Sequence, residues 1–330
     1  MATDRRLAFH AMLPDRYAHL EVIASTIDHL GRFVALVADP VQGFVPIPHF
    51  SELRPPPRYD AIALICHGAE VREIPLNDLD LWFTGIDTLG DGVVLLSARC
   101  DPPGVSHERY GEPVPEDELH LPANLRVFDS GGQTRAAFYA GDGIEQLVTD
   151  SHGHIWTSYF DESSYWFANP DGTRSYGFMI GLARWDSTGG EPWMVSSDTP
   201  GVAWCDCYAL NVGRERVHAC PYPDFPLVEL DPNGIQAVTP NTVTRCSGLA
   251  VAGSEFAFFD QRRAGGGFLW EIRRAYREGE VVLEKGHEQL VLPDGRRPSG
   301  WGRGKVGRDG MLWLQVDGDR RRWYRYEIDA

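Results

Sequence analysis

The chain has no run of apolar residues approaching the roughly eighteen that a membrane helix needs, so no membrane span is expected. Cysteine is scarce. Six are scattered over 330 residues without the spacing of a disulfide scaffold, which leads us to expect free thiols in a reducing, cytoplasmic setting. Positive charge is also short, with 31 Lys+Arg against 47 Asp+Glu and a net charge of -16. A field of that sign repels phosphate backbones, so no nucleic-acid partner is expected. The one basic run, Arg320-Arg321-Arg322, reads as a solvated turn beside a strand. The N-terminal MATDRRLAFHAML has two arginines before an apolar run. That run is short, contains His10 and lacks a small-residue cleavage site, so a secretory leader is not expected. Equally absent are a Gly-x-Ser-x-Gly elbow, a phosphate loop and a dinucleotide fingerprint. Gly265-Gly266-Gly267 is a flexible connector rather than a phosphate cradle, because no helix pattern follows it.

What the chain does have is turns. Its 35 glycines and 23 prolines suit many short strands, and no amphipathic helix of useful length stands out. Six strand–turn–strand cores recur: EVIASTIDHLGRFVALVAD (21–39), WFTGIDTLGDGVVLLSARC (82–100), IEQLVTDSHGHIWTSYFD (144–161), WCDCYALNVGRERVHAC (204–220), RCSGLAVAGSEFAFFD (245–260) and WGRGKVGRDGMLWLQVD (301–317). Each has a glycine near its middle, where a tight hairpin calls for positive φ. Between the cores lie looser two-strand connectors. NLRVFDSGGQTRAAFYA, GLARWDSTGGEPWMVSS and PLVELDPNGIQAVTP share an Asp-x-x-Gly turn, in which the aspartate caps through its own carboxylate.

Core plus connector makes four strands at a spacing of roughly forty to sixty residues, the period of a propeller blade. After the sixth core only RWYRYEID (322–329) remains, one strand short of a blade. The N-terminal RLAFHAML (6–13) has no partner of its own and supplies the missing strand. The reading is therefore a single all-β domain over residues 1–330. It is a six-bladed β-propeller of four-stranded antiparallel blades, closed by the N-terminal strand joining the C-terminal blade.

The stretch Asp150 to Trp156, in the pattern Asp-x-x-Gly-x-Ile-Trp, resembles the blade signature of six-bladed propellers of the streptogramin-lyase, NHL-repeat and gluconolactonase/regucalcin kind. The longer IWTSYFDE is similar to a string in bacterial propeller proteins of uncharacterised activity. The resemblance covers the chain as a repeat pattern, and it implies a rigid scaffold with a site at one mouth of the central channel. Regucalcin-like enzymes hold one divalent cation with Glu, Asn and Asp. Here Glu145 and Asp206 stand on innermost strands, but no Asn accompanies them and the first core lacks the Glu-Gly-Pro start. The His and Glu set of streptogramin lyases is not matched either.

Three long connections, residues 40–59, 101–124 and 162–181, fall after second strands and gather at one face, where recognition is expected. Aligning the cores places Glu145, Gln146, Asp206, Arg245 and Arg303 at the entrance of that mouth. Tyr159, Asp161 and Glu162 lie at the exit of the third core, and Asp260 and Arg262 at that of the fifth. Mixed acids and arginines suit a polar ligand, and they equally suit ion pairs between blades. His107 and His49 are loop candidates for a general base, while Phe44, Tyr165 and Trp166 would make an aromatic protein-binding patch. Cys205-x-Cys207, with Cys246 on the next blade, lacks a partner pair for zinc and reads as buried small hydrophobes. His152-x-His154 reads as turn histidines.

The expected function is a binding module that takes a small polar ligand or a protein at the long-loop face. The alternative is a lyase or hydrolase of lactonase-like or streptogramin-lyase-like chemistry. Glu145, Asp161, Glu162 and Asp206 would then be its carboxylates, Arg245 and Arg303 its anion clamp, and a divalent cation the cofactor to test for.

Overall fold

The computed structural model describes residues 3–40, 58–99, 122–161, 163, 181–190, 192–195, 199–265, 267–302 and 304–329. Strands are short and almost all antiparallel. The N-terminus supplies β1 (Thr3–Arg6) and β2 (Ala8–Met12). The chain then lays down meanders. The first is β3 (Glu21–Ile27), β4 (Phe33–Ala38), β5 (Tyr59–His67) and β6 (Glu70–Leu79). The second is β7 (Gly85–Leu89), β8 (Gly92–Leu96), β9 (Leu125–Phe128) and β10 (Thr134–Phe138), and the third is β11 (Ile144–Thr149), β12 (Ile155–Tyr159), β13 (Leu182–Trp185) and β14 (Trp193–Met194). There follow β15 (Asp206–Val212), β16 (Val217–Tyr222), β17 (Leu227–Asp231) and β18 (Gly234–Thr239), then β19 (Gly248–Ala252), β20 (Glu255–Ala264), β21 (Gly267–Glu278) and β22 (Val281–Val291). The last meander has three strands, β23 (Lys305–Arg308), β24 (Met311–Leu314) and β25 (Arg322–Glu327), and β2 adds a fourth, antiparallel to β25. The pairing of the two chain ends matches the sequence reading. The strand β1 was not foreseen: it joins β22 in parallel as a fifth strand of the fifth sheet.

Contacts divide the chain into two compact units, residues 1–18 with 25–33 and 198–330, and residues 19–24 with 34–197. The second unit stacks its sheets through side chains that alternate between faces. Val93 and Leu95 of β8 join Val34, Leu36, Ala63, Ile65 and Ile74 of the first meander, while Val94 and Leu96 join Ile144, Leu147, Ile155, Tyr159 and Trp185 of the third. This burial on both faces is why these strands read as unbroken apolar runs. A polar link crosses the same boundary: Asp87 accepts from Thr88 N and from Thr149 N, each at 2.8 Å.

The other unit follows the same rule around β20. Phe256 and Phe258 pack on Ala209, Cys220 and Leu227 of the fourth sheet, whereas Ala257 and Phe259 pack on Leu312 and Leu314 of the sixth. Its innermost strands also touch one another. Asn211 of β15 pairs with Gly307 of β23, and its amide donates to Leu249 O at 3.0 Å and Asp309 O at 2.9 Å. A Cβ on Gly307 would stand 2.1 Å from Leu249 O, so only glycine permits this approach.

The aspartate turns are as the sequence implied. Asp28, Asp129, Asp150, Asp186 and Asp231 each accept the backbone N–H two residues on, and the first four also accept the one four residues on.

Candidate functional site

In the N- and C-terminal unit, buried charge gathers where β20 and β21 run past the apolar interface with the fourth sheet. Asp260 and Glu271 face each other directly in the ladder. Period two puts Asp260 on the same side as Phe256 and Phe258, continuing the surface turned toward the fourth sheet. Asp260 is 8% exposed and Glu271 5%. Like charges placed directly opposite repel, so this pair needs compensation. Glu271 Oε1 has it: Arg273 Nε lies at 3.7 Å and Arg262 Nε at 3.8 Å. Arg273 is itself fixed by donating to Thr244 O at 2.9 Å.

Asp260 has less. Its Oδ2 is buried and has no hydrogen-bond partner among the described residues. Burial pushes its carboxyl above the usual range. Glu271 adds to the rise, against the pull of Arg273, the Gln261 N–H and Arg245. Arg245 is exposed and adopts φ 67°, a left-handed turn that brings the chain into Cys246. The Cys246 thiol is pushed well above its ordinary value, first by burial and then by its hydrogen bond with Cys220, with Cys207 and Asp260 adding negative charge nearby. Such a thiol stays protonated and inert. Cys220 and Cys246 are both buried free thiols. Among the described residues no group of three or more His, Cys, Asp or Glu is arranged to hold a metal ion.

Of the mouth residues expected from the sequence, Asp260, Arg262 and Arg245 come together here. Asp206 opens β15 opposite Tyr222 and is 7% exposed. Glu145, Gln146, Tyr159 and Asp161 belong to the other unit. Glu145 and Gln146 sit at a register shift in β11, the latter buried, and Asp161 is exposed beyond β12. Tyr159 is a core residue with no exposed surface. Its hydroxyl donates to Ala140 O at 2.6 Å and accepts from Thr157 Oγ1 at 2.9 Å. Glu162 and Arg303 lie outside the described residues, as do His49, His107, Phe44, Tyr165, Trp166 and most of the three long connections. His154 Nδ1 is 2.9 Å from Asp150 Oδ2, an ordinary turn contact.

Sequence reasoning missed Glu271 and Arg273. The signal was present: Asp260-x-Arg262 on one strand and Glu271-x-Arg273 on the next are the same acid-x-arginine step, which antiparallel pairing lays on one face. A second buried pair was missed in the other unit. There Arg99 Nη1 lies 3.9 Å from Asp142 Oδ2, and its guanidinium stands 4.6 Å from the Phe160 ring centroid.

No family model matches the chain, and no curated protein matches it. Similar solved structures do exist. A gluconolactonase from Xanthomonas campestris is 10% identical over 99% of each chain, with a TM-score of 0.43. A streptogramin B lyase is 11% identical over 96% of this chain and 95% of its own, with a TM-score of 0.44. The hydrazine synthase of Kuenenia stuttgartiensis is 10% identical over 93% of this chain and 77% of its own, with a TM-score of 0.50. At such identities these are likenesses of fold alone, and no activity is carried over from them. The protein is of the all-β class with several four-stranded antiparallel sheets, consistent with a propeller.

Proposed function

We propose that the chain is a six-bladed β-propeller acting as a binding module, and that it takes a small polar ligand at the Asp260–Glu271 end of the fifth sheet. The blade count rests on the repeated four-strand meanders and on β2 completing the last of them. The ligand reading rests on one observation: a buried carboxyl oxygen, Asp260 Oδ2, without a partner among the described residues and beside arginines that can meet an anion. A ligand offering a hydroxyl or amino N–H to Asp260 and an anionic group to Arg245 and Arg262 satisfies both. Sugar acids, hydroxy acids and amino acids are of this kind.

The alternative reading is a hydrolase or lyase. It is favoured by a carboxyl whose pKa burial raises and which faces a second acid, an arrangement suited to general acid–base work.

The test is a thermal-shift and calorimetric screen of sugar acids, hydroxy acids and amino acids on wild type, Asp260→Asn and Arg245→Ala. We expect a hit to lose about tenfold or more in affinity in each variant. Without ligand, Asp260→Asn melts higher than wild type at neutral pH. A carboxyl with a raised folded pKa costs stability once pH exceeds its unfolded value, and the amide removes that cost. A hit bound equally by all three proteins places the site elsewhere. Turnover of the hit moves the conclusion to the enzyme.

A further inference from the structure

We infer that the tip of the β20–β21 hairpin is a protein-docking surface whose anchor is Trp301 and whose partner is an acidic segment with an apolar core. It shares only Arg262 with the ligand reading above, and its test, on Trp301 and Arg263, does not depend on that reading. With ten and twelve residues, β20 and β21 are twice the length of most strands in the chain. Pairing continues through Arg262 with Leu269, Arg263 with Phe268 and Ala264 with Gly267. Arginines 262 and 263 are exposed, and the stretch from Gln261 to Trp270 contains no acid. In a chain of net charge -16 that makes the tip a local exception.

Beside the tip, Trp301 is 48% exposed. Its ring meets the edge of Phe268 at a centroid distance of 5.1 Å, and the Arg263 guanidinium stands 6.0 Å from the Phe268 centroid. An exposed tryptophan is informative only if something holds it in place, and here both neighbours are clamped. Gly302 N donates to Gln261 Oε1 at 2.9 Å, and Gln261 Nε2 donates back to Gly302 O at 2.7 Å. Gly300 O accepts from Trp270 Nε1 at 2.9 Å, and Gly300 N donates to Asp317 Oδ1 at 2.7 Å. Gln261 and Trp270 are buried. A Cβ on Gly302 would lie 2.2 Å from the Trp270 ring, so the close fit of this segment requires glycine. The fold thus spends buried hydrogen bonds on presenting one large aromatic side chain to solvent.

A tryptophan held against Phe268, with the Arg263 guanidinium beside that ring, has the composition of an interface hot spot, and part of its ordering entropy is already met. Charge complementarity fixes the partner's rim as Asp or Glu. The same net charge disfavours a long polyanion, whereas a short acidic segment meets the tip within the screening distance of about 8 Å at physiological salt.

Short synthetic peptides with a Leu or Ile core flanked by Asp or Glu, together with Lys-flanked and Ser-flanked copies, provide the probe. Binding is read on the full chain by fluorescence anisotropy, and sedimentation is run alongside. Wild type is expected to select acid-flanked peptides and to release them as salt rises. Trp301→Ala loses about tenfold or more, Trp301→Phe less, and Arg263→Ala about threefold to tenfold, all with an unchanged melting temperature. Equal binding by wild type and Trp301→Ala overturns the proposal. So does selection of Lys-flanked peptides, or the absence of any selection. A wild-type dimer that Trp301→Ala converts to monomer also overturns it and names a second copy of the chain as the occupant.

Discussion

Asp150 concentrates in one side chain the physics that repeats along this chain. One oxygen accepts His152 N and His154 N, both at 2.9 Å, and the other accepts Trp156 Nε1 at 3.0 Å and meets His154 Nδ1 at 2.9 Å. The carboxylate thereby fixes the turn and satisfies a buried indole. Burial alone would raise its pKa, but the indole, the His154 N–H and the His154 ring together hold it below the usual carboxylate range. Asp150→Ala strands the Trp156 N–H inside the sheet and is expected to cost about 3 kcal/mol, read from urea unfolding. Because the folded pKa lies below the unfolded value of about 3.9, the wild-type advantage is fully present above that value. It fades as pH falls through the folded pKa, so the two proteins should converge in stability on acidification. A gap that stayed constant with pH would assign the loss to packing instead. The turn itself was legible in Asp-x-x-Gly, since it needs only local contacts. The role of Trp156 was not, because an indole N–H six residues away is placed by the hairpin as a whole.

At the level of elements, the N-terminal segment ties two sheets together. The strand β1 lies parallel on β22, β2 lies antiparallel on β25, and Leu7 between them is 1% exposed in the core shared with Trp270, Leu290 and Tyr326. Arg5 adds an ion pair to Asp329 at 2.6 Å, but both side chains are partly solvated and the pair contributes little. Burial of Leu7 should dominate. Leu7→Ala is expected to lower stability by about 3 kcal/mol, whereas Phe9→Ala, at a position 51% exposed, should cost less than about 1 kcal/mol. Equal effects in urea unfolding would mean the strap is held by edge hydrogen bonds and not by its core residue. The sequence identified the β2–β25 pairing because a three-stranded remainder needs a fourth strand. It did not identify β1, whose charged TDRR carries no apolar alternation; ladder pairing with β22 holds it without a buried face.

For the whole molecule, strand order followed from turn spacing, since each meander folds on its nearest neighbours in sequence. The candidate site was legible only in part. Asp260, Arg245 and Arg262 were placed by core alignment, but Glu271 and Arg273 meet them through a cross-strand register that spacing cannot give, and Tyr159 proved to be core because its hydroxyl finds partners inside. The bulk property that needs no register is charge. With a net charge of -16 and a pI near 5.1, self-repulsion works against the compact state at neutral pH. Opposing it are ion pairs such as Arg58–Asp78 and Arg297–Asp4, whose side chains are more than half exposed and which contribute below about 1 kcal/mol each. Added salt screens both effects. The surplus negative charge acts over the whole surface, while the exposed pairs are individually weak, so relief of repulsion should win. Raising NaCl from low to moderate concentration at neutral pH is expected to stabilise the protein by about 1 kcal/mol, a rise of roughly 2 °C in Tm. Under the same conditions a DNA duplex should leave Tm unchanged at low salt, where any electrostatic binding would be strongest. A Tm that fell with salt would show that the ion pairs act as coupled networks outweighing the surplus charge.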